Sequence, residues 1–113
     1  MKSTIEKINN FRDERNWRQF HNEKDLAISI SLEANELLEI FQWKSSEEAV
    51  ANNLEHIKEE LADVFIYGLM LADNLNLDVE KIISDKIKLN EKKYPVPESF
   101  GNKEKYTELN KEK

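Results

Sequence analysis

Apolar residues recur along this chain at the three- and four-residue intervals of an α-helix, and they do so in four successive stretches. Ile5, Ile8 and Phe11 form the first stripe. Ser3 and Glu6 have capping-box spacing just before it, which predicts a helix running from there to between Glu14 and Trp17. The polar run "NWRQFHNEKD" then reads as a connector. Between Asp25 and Phe41 two periods compete. Leu26, Ile28, Ile30 and Leu32 alternate as in a strand, but Ala27, Ile30, Ala34, Leu37, Leu38 and Phe41 make a longer helical stripe, and that length favours a helix.

A second capping box, Ser45 with Glu48, opens the third stretch, whose stripe passes through Val50, Leu54, Ile57, Leu61, Val64, Phe65 and Leu69 to about Asn74. Asp78 caps a fourth, carrying Val79, Ile82, Ile83 and Ile87. "YPVP" stops it, because proline cannot continue a helix and turns its predecessor away from the helical region. With only two glycines and two prolines to interrupt it, the chain predicts an all-α fold. The expectation is one helical domain over 1–96, with Phe11, Phe41 and Phe65 in its core, and a polar, mobile tail over 97–113.

Composition narrows the partners. At 113 residues the core is modest, so association with further copies would help bury the apolar stripes. A net charge of -6 argues against polymeric nucleic acid, which needs clustered Lys and Arg, though not against a free nucleotide carried with metal ions. The chain has no cysteine, which leaves oxygen and imidazole as the only metal donors. No apolar run approaches the roughly 20 residues of a membrane span, nor does the N-terminus resemble a signal peptide, and the expectation is a cytoplasmic protein with no membrane partner.

Against this background two acidic pairs stand out. Glu33 with Glu36, and Glu60 with Asp63, each sit three apart beside an apolar stripe, so each pair shares one patch of a helix surface. If the two helices pack by their stripes, about four negative charges meet among apolar neighbours, a conflict that a divalent cation removes. Oxygen donors suit Mg²⁺, with Mn²⁺ as its substitute, and Mg²⁺ held by carboxylates commonly takes phosphate oxygens from a substrate. Glu39, Glu55 and Glu59 read as surface. A carboxylate-bridged iron pair would ask for Glu-x-x-His on two helices, and the chain has none. His56 lies four residues before Glu60, at ion-pairing distance on a helix. Trp17 in the connector and Trp43 after the first acidic pair are either core aromatics or flat surfaces on which a base could stack.

The segments "NWRQFHNEKDLAISISLEANELLEIFQWK", "EELADVFIYGLMLA", "DKIKLNEKKYP" and "KYTEL", in that order, resemble the MazG-like all-α nucleotide pyrophosphohydrolases, most closely their dCTP pyrophosphatase branch. The resemblance implies an oligomeric four-helix bundle, a homodimer or homotetramer, that hydrolyses a nucleoside triphosphate to the monophosphate and pyrophosphate. It implies Glu33, Glu36, Glu60 and Asp63 as Mg²⁺ ligands; the base would be a carboxylate not fully engaged by metal, for which Glu36 is our own choice. Trp17, Arg18, Gln19, His21 and Trp43 would line the base and sugar pocket, with Tyr67, Lys86 and Asn90 also at the nucleotide. The chain departs from the family at Asn35, where relatives often carry Gly, and at Asp25, where they often carry Asn; both bear on base preference. The competing reading is a helical interaction module whose acids are a solvated face.

Overall fold

The computed structural model of the chain describes residues 1–101 and 103, and every structural statement below concerns these residues. All regular structure is helical, in the order α1 (Lys2–Glu14), α2 (Glu23–Ile40), α3 (Ser46–Asn74), α4 (Val79–Lys93) and α5 (Val96–Ser99), with one 3₁₀ turn, Arg18–Phe20, in the connector. The residues form two compact units, Met1–Leu77 and the part from Asp78 on, described separately here. No helix is long and apolar enough to cross a membrane.

The capping signals fared differently. Ser45 accepts from the Glu48 amide at 3.1 Å and Asp78 from the Lys81 amide at 3.1 Å, so α3 and α4 begin where the sequence indicated. The Ser3–Glu6 box does not form. The Ile5 amide already bonds the Met1 carbonyl at 2.9 Å, which places Ser3 inside the first turn and makes Met1 the cap. α2 starts two residues before Asp25, because the Asn22 side chain accepts from the Asp25 amide at 2.9 Å and donates back to its carboxylate at 2.7 Å. The two residues satisfy each other much as a capping box does.

Two further features were not foreseen. α3 departs from helical φ/ψ at Asn53 (φ -129°, ψ 23°) instead of running unbroken. Within the segment assigned to the tail, α5 forms with Pro97 in its first turn, where a missing N–H costs no helical bond. The remainder of that tail, residue 102 and residues 104–113, lies outside the described residues.

In the first unit α1 and α2 both pack against α3. Leu26 and Ile40 of α2 and Ala49, Leu69, Met70 and Ala72 of α3 are buried, and α1 contributes Arg12, which is 0% exposed. The phenylalanines expected in the core fall short of it: Phe11 is 47% and Phe65 60% exposed, and only Phe41 is half-buried. α3 is apolar around much of its circumference, and one chain's α1 and α2 cover only part of it.

Arg12 is the polar anchor of this core. Its Nη2 donates to Asp73 Oδ2 at 3.1 Å and its Nε to Asn9 Oδ1 at 3.1 Å, while Asn9 Nδ2 donates to the same Asp73 oxygen at 3.2 Å. A charge removed from water is tolerable only when so paired. Arg12→Ala, which strands Asp73 at the helix interface, is expected to lower the unfolding free energy in urea by about 3 kcal/mol. Arg18→Ala, which breaks an exposed, solvent-screened pair with Asp13, should cost much less.

Candidate functional site

The docking of α2 on α3 determines where the acids go. Oxygens of Glu33, Glu36 and Glu60 lie within 4.8 Å of one another. Glu33 is half-buried there, and its carboxyl is pushed up to about 7, first by burial, then by hydrogen bonding with Glu60 and Glu36, then by the negative charges of Glu36 and Asp63. No N–H or hydroxyl donor reaches the buried Glu33 Oε2 or Glu60 Oε2, so without a cation only a proton shared among the carboxyls can satisfy them. Buried polar atoms without partners are uncommon and call for an explanation such as an ion. Carboxylate oxygens alone are the donor set of a hard divalent cation, and these residues fit one. Asp63, one turn past Glu60, stands outside the tight group of three, though its charge reaches Glu33 and Tyr67. His56 does pair with Glu60, Nε2 to Oε1 3.4 Å, while Glu39 and Glu55 face Asn35 and Lys58 instead.

Next to Asp63 opens a cavity of about 440 Å³, lined by Lys7, Ile8, Phe11, Trp17, His21, Asp63, Ile66, Tyr67 and Met70. Trp17 meets Phe11 edge-on at 5.6 Å and His21 edge-on at 6.5 Å between ring centroids. Two side chains tie this wall down. Asn74 Nδ2 donates to the His21 carbonyl at 2.7 Å, and Arg18 bonds Asp13 and lies 3.6 Å from Asp73. Burial, with the charges of Arg12 and Arg18, holds the His21 imidazole below its usual range, so it is neutral near pH 7. Its Nδ1 is buried and unpartnered. The Tyr67 hydroxyl is held above its usual range by burial and by Glu33, Asp63 and Glu36, and so stays protonated as a donor.

Of the residues expected at the base pocket, the structure therefore brings together Trp17, His21 and Tyr67. Arg18 is engaged by acids, and Gln19 Nε2 donates to the Asn16 carbonyl at 2.9 Å, within its own connector. Trp43 is 94% exposed, so within one chain it makes no slot with Trp17. Its backbone sits at φ 65° just past α2. Lys86 and Asn90 lie exposed on α4 in the second unit. The walls that sequence reasoning missed are Lys7, Ile8, Ile66 and Met70, together with Phe11, which was assigned to the core. Ile8 and Phe11 share one stripe of α1, and Ile66 and Met70 share one of α3; periodicity marks such stripes without saying whether they face a core or a cavity.

The MazG-like family model matches residues 28–109, well over half of the chain. The chain belongs to the MazG-like family. All four acids, Trp43 and Tyr67 fall inside the matched region, whereas Trp17, Arg18, Gln19 and His21 precede it. This MazG-like chain is 38% identical over 104 residues to dCTP pyrophosphatase 1 of Rattus norvegicus, covering 88% of this chain and 61% of that protein. It is 35% identical over 104 residues to dCTP pyrophosphatase 1 of Homo sapiens, with 88% and 61% covered. The chain thus spans about three-fifths of the length of these relatives. A pyrophosphatase from Archaeoglobus fulgidus DSM 4304, known from its crystal structure, superposes with a TM-score of 0.80 at 41% identity, covering 84% of this chain and 92% of that one.

The raised Glu33 carboxyl gives the metal-free protein a pH signature. A carboxyl whose folded pKa exceeds its unfolded value contributes stability that is whole below the unfolded value of 4.5 and is lost as pH rises through about 7. Glu33 should therefore make metal-free wild type less stable at pH 8 than at pH 5.5, against the opposite pull of the depressed His21 imidazole, which Glu33→Gln leaves in place. Glu33→Gln should flatten that dependence and raise metal-free stability at pH 8 by about 1 kcal/mol, the shift discounted for solvent screening. Calorimetric melting across this range, in chelator, measures both.

Proposed function

We propose that this chain hydrolyses a nucleoside triphosphate, a pyrimidine deoxynucleotide and dCTP first, to the monophosphate and pyrophosphate, with Mg²⁺ as cofactor and Mn²⁺ as its substitute. The observation that carries this reading is the group of three carboxylates, two with buried oxygens that no N–H or hydroxyl donor reaches, placed beside an aromatic-walled cavity. The named activity of the MazG-like relatives supports it. The interaction-module reading needs a solvated acidic face, and the burial of Glu33 and Glu60 oxygens speaks against it.

Glu33, Glu36 and Glu60 are assigned to hold the cation, with Asp63 contributing from the next turn. Bound there, the cation supplies Lewis-acid polarisation of the phosphate oxygens and offsets their charge. Glu36, the exposed member of the three, is the assigned base. It takes a proton from the attacking water as the water oxygen bonds the α-phosphorus and the bond to the bridging oxygen breaks, which leaves that oxygen on pyrophosphate. Trp17 and Phe11 offer the base an apolar wall, and His21, with its unpartnered Nδ1, lines the same cavity. Stacking is worth about 1 to 3 kcal/mol for any base, so selectivity falls to polar contacts such as His21 and the Tyr67 hydroxyl. Lys86 and Asn90 enter this assignment through the family resemblance alone.

Phosphorus NMR of the products from dCTP, dTTP, dUTP and dATP with Mg²⁺ tests the reading. Pyrophosphate with the monophosphate, fastest from dCTP, is expected; orthophosphate as first product sinks it. Glu36→Gln should lower kcat by about 100-fold or more, and His21→Ala should shrink the advantage of dCTP over dATP by roughly tenfold.

The same reading joins copies of the chain into a dimer or tetramer. Leu32 and Leu38 of α2 and Leu54, Leu61 and Phe65 of α3 are exposed, more apolar side chain than a small monomer usually leaves on two helices. Light scattering at micromolar concentration should find at least twice the chain mass, and a monomer there counts against the assembly.

A further inference from the structure

The acid group has a second flank. Where Asp63 faces the aromatic cavity, Glu36 and Glu60 face another cavity of about 380 Å³, completed by Glu39, Ile40, Lys44, Asn53 and His56. Its character is opposite: apart from Ile40 every wall residue is polar or charged, and the Lys44 ammonium and the His56 imidazole stand beside the acids.

Two backbone irregularities meet here. Trp43 takes a left-handed conformation (φ 65°), uncommon for so bulky a residue, directly before Lys44. α3 leaves helical geometry at Asn53. One hydrogen bond joins them, Lys44 Nζ to Asn53 Oδ1 at 3.0 Å, and so holds the ammonium at this cavity although Lys44 lies on an exposed turn. Conformational outliers that converge on one side chain are a physical reason to look for a function there.

The proposed reaction constrains what that function is. With the base in the aromatic cavity and the α-phosphate at the carboxylates, the rest of the triphosphate must continue past the acids on the side away from the base. We propose that the polar cavity receives this diphosphate end, with Lys44 as its principal positive contact and Asn53 as the residue that positions Lys44. The inference rests on the reaction assigned above. Cation binding at Glu36 and Glu60 cancels the acids of the shared wall, which leaves Glu39 as the opposing charge and Lys44, with the donors of Asn53 and His56, to meet phosphate oxygens. A compact ammonium suits a group whose oxygens point in many directions. The same contact would hold free pyrophosphate after cleavage.

Calorimetric titration of the full chain tests this without turnover, using pyrophosphate with Mg²⁺, dCMP with Mg²⁺, and Mg²⁺ alone. In Lys44→Met, pyrophosphate should bind about tenfold or more weakly, while dCMP and Mg²⁺ stay within about twofold of wild type. Lys44→Arg should keep most of the pyrophosphate affinity, and Asn53→Ala should lose part of it. Unchanged pyrophosphate binding in Lys44→Met, equal weakening of dCMP, or no pyrophosphate binding by wild type each overturns the inference. The two assignments separate cleanly. Lys44-dependent pyrophosphate binding without hydrolysis of any triphosphate defeats the reaction and upholds the site; hydrolysis with pyrophosphate binding indifferent to Lys44 does the reverse.

Discussion

Everything at the centre of this molecule follows from the repulsion among carboxylates that the packing of α2 on α3 forces together. Glu33 feels burial and three neighbouring acids at once, and in the absence of a cation it resolves the conflict by keeping its proton to about pH 7. The apolar stripes that join the two helices are the same stripes that carry the acids, so stability of the first unit and assembly of the acid group cannot be separated. Core burial at Leu26, Ile40, Leu69 and Met70 holds together a charge arrangement that alone would push the helices apart.

A second electrostatic device works in the opposite sense. Arg12 and Asp73 attract, and they do so at the end of α3 where the connector returns. Asp73 also draws in Arg18, and its neighbour Asn74 holds the His21 carbonyl. The aromatic wall of the cavity is therefore fastened to α3 through polar contacts rather than by packing, and Trp17 and His21 can remain partly open to the cavity without the connector drifting. Attraction at one end of α3 and repulsion in its middle divide the labour between scaffold and site.

Local signals carried far. The four helical stretches, the caps at Ser45 and Asp78, and the pairing of Glu33 with Glu36 and Glu60 with Asp63 on helix faces were legible because each rests on residues close in sequence, and the family resemblance because four such local segments follow one another in order. The family assignment and the all-α class stand on that legibility. The Ser3 box failed because a backbone bond from Ile5 to Met1 took precedence over a side-chain cap, and periodicity does not register that competition.

What the sequence alone determined, then, was which residues share a helix face and how many negative charges must share a neighbourhood. Only the tertiary structure decided that Glu33, Glu36 and Glu60 form the tight group with Asp63 one turn aside, that Phe11 lines a cavity and does not fill a core, that Trp43 stands in solvent, and that Arg12 is wholly buried. The reason is the same in each case. Periodicity specifies an angle around one helix axis, but whether the side chain at that angle meets a neighbouring helix, an open cavity or water depends on contacts with residues distant in sequence. A stripe of Ile8 and Phe11 reads identically in all three settings, and an arginine such as Arg12 reads as surface until an aspartate 61 residues away is placed beside it.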